Sequence, residues 1–213
     1  MTLIARTIRL GRAALAITLL APACSSFLTT QSTTSYLIID SLQASTGREP
    51  DKIAGSLASD VLTYVKKDNG TGQQVLMPFI YSDNFIATFR LAMKDPGTVE
   101  SPNAPSANNS ITLTRYHVKF IRSDGRNTEG VDVPYAFDGA MTVTVGADGA
   151  KGSAILVRSQ AKTEAPLAAY VNFNGPSLST IAEVTFYGKD QTGRDVTVVG
   201  KIGVHFADFG DPS

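Results

Sequence analysis

Cysteine and histidine, which often act as nucleophile and base, are scarce in this chain, which has one cysteine, Cys24, and two histidines, His117 and His205. Nucleophilic catalysis requires a base oriented beside the nucleophile. Strand alternation places both histidines on the polar, solvent-facing sides of their segments. The chain also lacks G-x-S-x-G, H-E-x-x-H, C-x-x-C and phosphate-binding glycine motifs. We therefore predict a protein that is not an enzyme and that uses no cofactor.

Three acidic residues that are close in sequence, Asp124, Glu129 and Asp132, are the best candidates for binding a metal ion. Loop carboxylates and carbonyl groups are the ligands that calcium prefers. However, the spacing of these residues is not that of an EF-hand. The Asp-Gly pair at residues 124–125 is typical of a turn, because glycine readily adopts a positive φ. We keep the three residues as weak calcium candidates and predict no metal centre.

The loop at residues 122–139 has the composition of a partner-binding surface, since it combines hydrogen-bonding groups with aromatic anchors. The residues concerned are Arg122, Arg126, Asn127, Tyr135 and Phe137. A structural interpretation competes with this one. Apolar residues alternate from 131 to 137, which is the spacing that an additional strand at the edge of the fold would show. We favour the structural interpretation and retain the binding loop as the alternative.

The first 23 residues have the organisation of a secretory signal peptide. Three arginines (Arg6, Arg9 and Arg12) and no acidic residue precede an apolar run at 13–21 that ends in small residues. The run is about half as long as the roughly 20 apolar residues that cross a bilayer. We expect cleavage after Ala23 and export of the remaining chain.

Two kinds of processing compete at this cleavage site. Ala21, Pro22 and Ala23 satisfy the small-x-small rule of ordinary signal peptidase, which would release a secreted, soluble protein. The stretch also resembles the lipobox of bacterial lipoproteins, which implies that Cys24 is acylated and becomes the first residue. Ala23 and Cys24 match the lipobox, whereas Ala21 and Pro22 replace its preferred leucine and small residue. A lone thiol in an oxidising compartment favours lipid attachment, and acyl chains would hold the domain on a membrane.

Composition limits the remaining possibilities. Residues 24–35 are rich in serine and threonine and predict a flexible tether, residues 36–209 a single folded domain, and residues 210–213 a short tail. Basic and acidic residues are balanced at 19 each, and no basic face with interleaved aromatics is present. This argues against nucleic-acid binding. The absence of tryptophan means that a sugar-binding surface would depend on tyrosine or phenylalanine.

Short β-rich runs separated by turn residues predict an all-β fold. The clearest strand is 111–121, with Tyr116, Val118 and Phe120 facing inward. Residues 181–188 and 195–206 predict a final hairpin, and residues 140–145 and 152–160 predict another in which Ile155 and Val157 face inward. The inward face of the last strand is expected to carry Val196, Val198, Ile202, Val204 and Phe206.

The other elements are less regular. Residues 163–179 predict a long crossover with a helical turn at 167–170. In the first half of the chain, strands are predicted at 36–45, 57–65 and 78–93. The last of these presents one apolar face, which consists of Phe85, Ala87, Phe89 and Leu91. The long loops between the strands could hold a site.

In strand number and spacing, residues 36–209 resemble bacterial exported proteins with immunoglobulin- or fibronectin-type sandwiches. The chain lacks the Cys, Trp, Cys core of antibody-type domains. The resemblance implies a single immunoglobulin-like Greek-key β-sandwich with long loops, and a binding or scaffolding role.

We therefore expect a non-enzymatic binding or structural domain of the cell envelope. It would be lipid-anchored through Cys24, face the periplasm or the exterior, and bind envelope proteins or glycans. The alternative is a secreted carbohydrate-binding or calcium-dependent adhesive module.

Overall fold

The computed structural model describes residues 33–172 and 177–210. The predicted signal peptide, Cys24 and most of the predicted tether lie outside these residues. The described chain is mostly strand, which confirms the all-β prediction. Its strands are β1 (Ser35–Ser45), β2 (Ser56–Asp60), β3 (Thr63–Asp68), β4 (Gln74–Phe79), β5 (Asp83–Met93), β6 (Ile111–Ile121), β7 (Phe137–Val145), β8 (Ala150–Val157), β9 (Leu178–Asp190) and β10 (Asp195–Ala207). The helices are α1 (Ser159–Thr163) and the 3-10 helices Ala107–Asn109 and Leu167–Tyr170.

The strands form three sheets. The largest has the order β2-β10-β9-β6-β7, the second the order β1-β5-β8, and the third is the hairpin β3-β4. Every ladder between these strands is antiparallel except that of β2 with β10, which is parallel. The order within each sheet differs from the order along the chain, so the connections pass repeatedly from one large sheet to the other.

The two larger sheets pack face to face through an aromatic core. Phe85 and Phe89 of β5 both meet Phe186 of β9 edge to face, with ring centroids 5.5 and 5.0 Å apart. Phe85 also meets Tyr116 of β6 at 5.2 Å. Each such pair contributes about 0.5–1.5 kcal/mol beyond the area it buries. These contacts join the sheets at the centre of the core.

The strand faces predicted from alternation are confirmed where the pattern was clearest. Tyr116, Val118 and Phe120 are buried in β6. The four apolar residues predicted on one face of β5 are buried, and those of β10 are buried except for Val198, which is partly buried. The predicted helical turn at 167–170 is the second 3-10 helix.

The structure corrects the predictions for four segments. The predicted strand 57–65 is two strands, β2 and β3, and the predicted strand 78–93 begins at Asp83, because Pro78 and Phe79 belong to β4. Residues 33–35 are not part of a tether, since Ser35 opens β1 and Thr33 and Ser35 are buried. The segment 131–137 is not an extra strand, because only its last residue belongs to one, at the start of β7.

The hairpin predicted at residues 140–160 is also wrong. The chain turns at Gly146–Gly149 as expected, but β7 pairs with β6 and β8 pairs with β5, so the two strands enter different sheets. A register shift between Asp83 and Asn84 leaves Leu156 without a partner across the ladder. This bulge turns Leu156 and Val157 into the core and leaves Ile155 exposed, whereas Ile155 was predicted to face inward.

Candidate functional site

The polar half of the predicted binding loop forms a compact ionic turn. The Asp124 carboxylate lies 2.5 Å from Arg122 Nη2 and 3.0 Å from Arg126 Nη2, while Asn127 Oδ1 accepts a hydrogen bond from the Arg122 backbone at 2.7 Å. The hydrogen bonds that the Arg122 guanidinium donates to Asp124 hold the pKa of this carboxyl group well below its usual range, and they raise the pKa of Arg122. Arg122, Asp124, Arg126 and Tyr170 line an open recess of about 550 Å³.

The aromatic half of that loop lies elsewhere. The Tyr135 ring packs against Gly130, where φ is +74° and a Cβ atom would collide with the ring. Phe137 meets Tyr116 edge to face at 6.2 Å and lies under the Arg158 guanidinium at 4.5 Å. Neither aromatic side chain lines the recess. The structure thus brings Arg122, Arg126 and Asn127 together but does not join them to Tyr135 and Phe137.

Two of the three weak calcium candidates have carboxylates that are occupied by local contacts. Asp124 is held by two arginines, and Asp132 Oδ2 accepts a hydrogen bond from the Thr128 backbone at 3.2 Å. Glu129 forms an isolated bridge with Val133 through the backbone alone, and its side chain is exposed. Within residues 33–172 and 177–210, no group of three or more His, Cys, Asp or Glu side chains is arranged to hold a metal ion.

Both histidines lie on the outward faces predicted for them. His205 Nδ1 is 2.9 Å from Ser179 Oγ on the exposed face of β9 and β10. His117 Nδ1 is 3.4 Å from the Asp138 carboxylate. A serine next to a histidine has the first element of a nucleophile and base pair, but a triad also needs a third group that orients the histidine. In the described chain, Ser179 is the one hydrogen-bond partner of the His205 side chain.

A buried ion pair that the sequence analysis did not identify lies at one end of the sandwich. Lys162 Nζ of α1 is 2.8 Å from Asp83 Oδ2 at the start of β5, and each side chain is 1% exposed. The Asp83 carboxylate also accepts hydrogen bonds from Ser59 Oγ at 2.6 Å and from the Gly47 backbone at 3.0 Å. A buried carboxylate requires such partners, because an uncompensated charge is costly to remove from water. Asp83 therefore joins β5, α1, β2 and the segment that follows β1.

A cavity of about 330 Å³ lies beside this pair. Asp83 and Lys162 contribute to its lining, with Arg48, Glu49 and Asp60 as further charged groups and Tyr81 as the aromatic one. Asp60 is fixed by hydrogen bonds from Thr63 Oγ1 at 2.7 Å and from the Phe209 backbone at 3.1 Å. The volume is within the range of about 300–1,000 Å³ that is typical of small-molecule sites.

The hairpin β3-β4, which we call the arm, forms its own two-stranded sheet and pairs with neither larger sheet. Its base is anchored by the buried Thr63, but β4 carries three successive exposed apolar side chains. Val75, Leu76 and Met77 are 37%, 51% and 42% exposed. At the tip, the Asp68 carboxylate accepts hydrogen bonds from the Gly70 and Gly72 backbones at 2.7 and 3.1 Å.

No protein family model, curated protein or solved structure matches this chain. No helix of the described residues is both long enough and apolar enough to cross a membrane. The arm and the cavity at its base are the two surface features of the described residues that we consider for binding.

Proposed function

We propose that this protein is an exported, non-enzymatic binding or structural domain of the cell envelope, with an immunoglobulin-like Greek-key sandwich and a lipid anchor on Cys24. The observation that carries the proposal is the arm, which exposes three consecutive apolar side chains on a strand that pairs with neither large sheet. Exposed apolar patches mark interaction sites, and an isolated two-stranded hairpin is only marginally stable in water. A partner that covers the arm would bury the exposed apolar side chains and would stabilise the hairpin.

The two edges of the arm differ, which indicates how the partner binds. The β3 edge carries Lys66, Lys67 and Asp68, and charged side chains, lysine above all, discourage strand addition. Residues 73–82, which include β4, contain no charged side chain. Up to Pro78, which has no backbone N–H to donate, the β4 edge is therefore the one suited to pair with an extended segment of another envelope protein, with backbone hydrogen bonds supplying affinity and the apolar side chains supplying specificity.

The contact can be tested by photo-crosslinking in intact cells with a photoreactive residue at position 76. We expect one discrete protein adduct. The double substitution Val75→Lys and Met77→Lys should reduce its yield about tenfold or more, because both charges would have to be desolvated in the contact.

The matched control is Val199→Lys, since Val199 is also an exposed valine, at 48%, but lies on the large sheet. This variant should leave the adduct unchanged. The absence of any adduct, or an adduct that survives the double substitution, would rule out the arm as the contact surface.

The anchor has its own test, the intact mass of the mature protein from the membrane fraction of a bacterial host. We expect a chain that begins at Cys24 and carries diacylglycerol on the thiol. Cys24→Ser should lose the lipid and leave the membrane fraction, because the acyl chains contribute about 0.8 kcal/mol per buried methylene. An unmodified wild-type chain in the soluble fraction would instead support a secreted protein.

A further inference from the structure

We infer that the extended segment that pairs with the β4 edge is β4 of a second copy of this chain, so that two arms join edge to edge about a twofold axis. This dimer rests on the proposed role of the arm and names its partner. The cavity beside the buried ion pair points to no partner, because its Asp83 and Lys162 groups already bind each other and are each 1% exposed.

The free edge of β4 is open, and its backbone groups alternate along the strand. Residues 74–78 are all exposed. The backbone N–H of Asn69 donates to the Gln73 carbonyl at 3.0 Å, and the ladder runs from this turn to the base of the arm without a register shift. In an antiparallel pair, alternate residues direct their N–H and C=O groups to the partner strand. The residues of β4 that direct theirs away from β3, to the free edge, are therefore Gln74, Leu76 and Pro78.

A second β4 strand matches this edge when Leu76 lies on the twofold axis. The two Leu76 residues then form a hydrogen-bonded pair and exchange two N–H···O bonds. On each side of this pair, the Gln74 N–H donates to the Pro78 carbonyl of the other copy. Pro78 has no N–H, but in this register it acts as an acceptor. The edge can therefore pair with its own copy along its whole length, and the Gln74 carbonyl alone is left to water.

The same register places apolar side chains opposite one another. Leu76 meets Leu76, and Val75 of each copy meets Met77 of the other, whereas a register centred on Val75 would place Leu76 and Met77 opposite glutamines. Val75 and Met77 share one face of the arm, and Val65, which pairs with Met77, extends this face onto β3. Two joined arms form a four-stranded sheet with an apolar stripe, and such a sheet is more stable than an isolated hairpin.

The charges on the arm favour self-pairing through β4 over self-pairing through β3. Residues 73–82 contain no charged side chain, so no charge is desolvated where the two β4 strands meet. Lys66 and Lys67 lie on β3, which becomes the outer strand. With a strand spacing of about 4.8 Å, the two β3 strands lie about 14 Å apart, which exceeds the Debye length of about 8 Å at physiological ionic strength. Joining through β3 would bring the lysines of both copies within one strand spacing, which is destabilising.

The size of the contact determines how the dimer is best detected. Two strands of this length bury less than the roughly 1,200 Å² at which specific, stable interfaces begin. We therefore expect a reversible dimer, which covalent capture can record.

The test is disulfide capture with purified protein that carries Cys24→Ser, which removes the one native cysteine. Val75 and Met77 of the two copies form a non-hydrogen-bonded pair, in which the Cα atoms are about 4.5 Å apart, and a disulfide spans this distance. Mild oxidation of a mixture of Val75→Cys and Met77→Cys proteins should give a mixed dimer, which intact mass distinguishes from the two homodimers. We expect at least about tenfold more mixed dimer than either homodimer, because equal positions lie on the diagonal and are too far apart.

The matched control is a mixture of Val199→Cys and Met77→Cys proteins, since Val199 is also exposed, at 48%, but lies on the large sheet. It should give no excess of mixed dimer. A measurement without cysteines supports the test: sedimentation of the protein with Cys24→Ser alone should show dimers that increase with concentration, and the double substitution Val75→Lys and Met77→Lys should abolish them, because both charges would be desolvated.

Equal capture in all cysteine mixtures, or a protein that sediments as a monomer at about 1 mM, would overturn self-pairing. The crosslink at position 76 in cells separates this outcome from failure of the proposed contact surface. An adduct of two copies supports both proposals. An adduct with a different protein retains the contact surface and overturns self-pairing, and the absence of any adduct overturns both.

Discussion

Replacement of Lys162 by methionine is expected to destabilise the domain by about 3–5 kcal/mol, because it removes one partner of a buried ion pair and leaves the Asp83 carboxylate uncompensated. The measurement is the free energy of unfolding from urea denaturation. An ion pair of similar length on the surface serves as the comparison, because its charges remain in contact with water. Lys189 Nζ is 2.7 Å from Asp195 Oδ1, with the side chains 62% and 72% exposed. Lys189→Met should therefore change stability by less than about 1 kcal/mol.

A double variant separates the lost ion pair from lost packing. Lys162→Met combined with Asp83→Asn removes both charges but retains an oxygen that can accept the hydrogen bond of the Gly47 backbone, which the carboxylate accepts at 3.0 Å in the native domain. Its stability should recover by at least half relative to Lys162→Met alone, since the buried carboxylate that the single variant leaves without a counter-charge is no longer present. Equal losses for the single and double variants would mean that the ion pair contributes nothing specific.

Substitution of Val184 by aspartate is expected to unfold the domain. Val184 lies at the centre of β9, is 0% exposed, and pairs across the ladder with Gly200 of β10. An aspartate there would be buried without an ionic partner, at a cost of more than about 4 kcal/mol, a large part of the roughly 5–15 kcal/mol that stabilises a typical domain. Circular dichroism and amide spectra should show loss of the native sheet signals.

The matched substitutions are in β10. Val199→Asp introduces the same change at a valine that is 48% exposed, and it should change stability by less than about 1 kcal/mol. Val198→Asp, at a partly buried position, should have an intermediate effect. Native melting of Val184→Asp, or equal effects of the substitutions at 184 and 199, would contradict the assignment of the two faces.

Alternation predicted the long strands well because the side-chain period of a strand is two wherever one face packs on a core. It failed where the backbone inserts a residue. In β6 the register shifts between Leu113 and Arg115, so that Leu113 and Tyr116 are both buried although their spacing is odd. The bulge at Leu156 has the same effect in β8. Strand partners were also beyond prediction, because the turn at Gly146–Gly149 resembles a hairpin turn locally and only the complete sheets decide that β7 and β8 separate.

The buried ion pair left one signal in the sequence. Asp83 has the same parity as Phe85, Ala87 and Phe89, so alternation places this carboxylate on the core face of β5. A charged residue in phase with a buried face requires a partner. The identity of that partner could not be predicted, because Lys162 belongs to a five-residue helix and reaches Asp83 only through the tertiary fold. The cavity beside the pair was hidden for the same reason.

The parallel pairing of β2 with β10 imposes an order of assembly on a chain that is synthesised from its N-terminus. β2 is the first strand of the large sheet to emerge, yet β10 is its one partner in the described sheets, and β10 emerges last. One edge of β9 also lacks its partner strand until β10 has been synthesised. Because these contacts are distant in sequence, the large sheet cannot be completed while the chain is still being synthesised. The topology thus postpones closure of the large sheet until residue 207 has appeared.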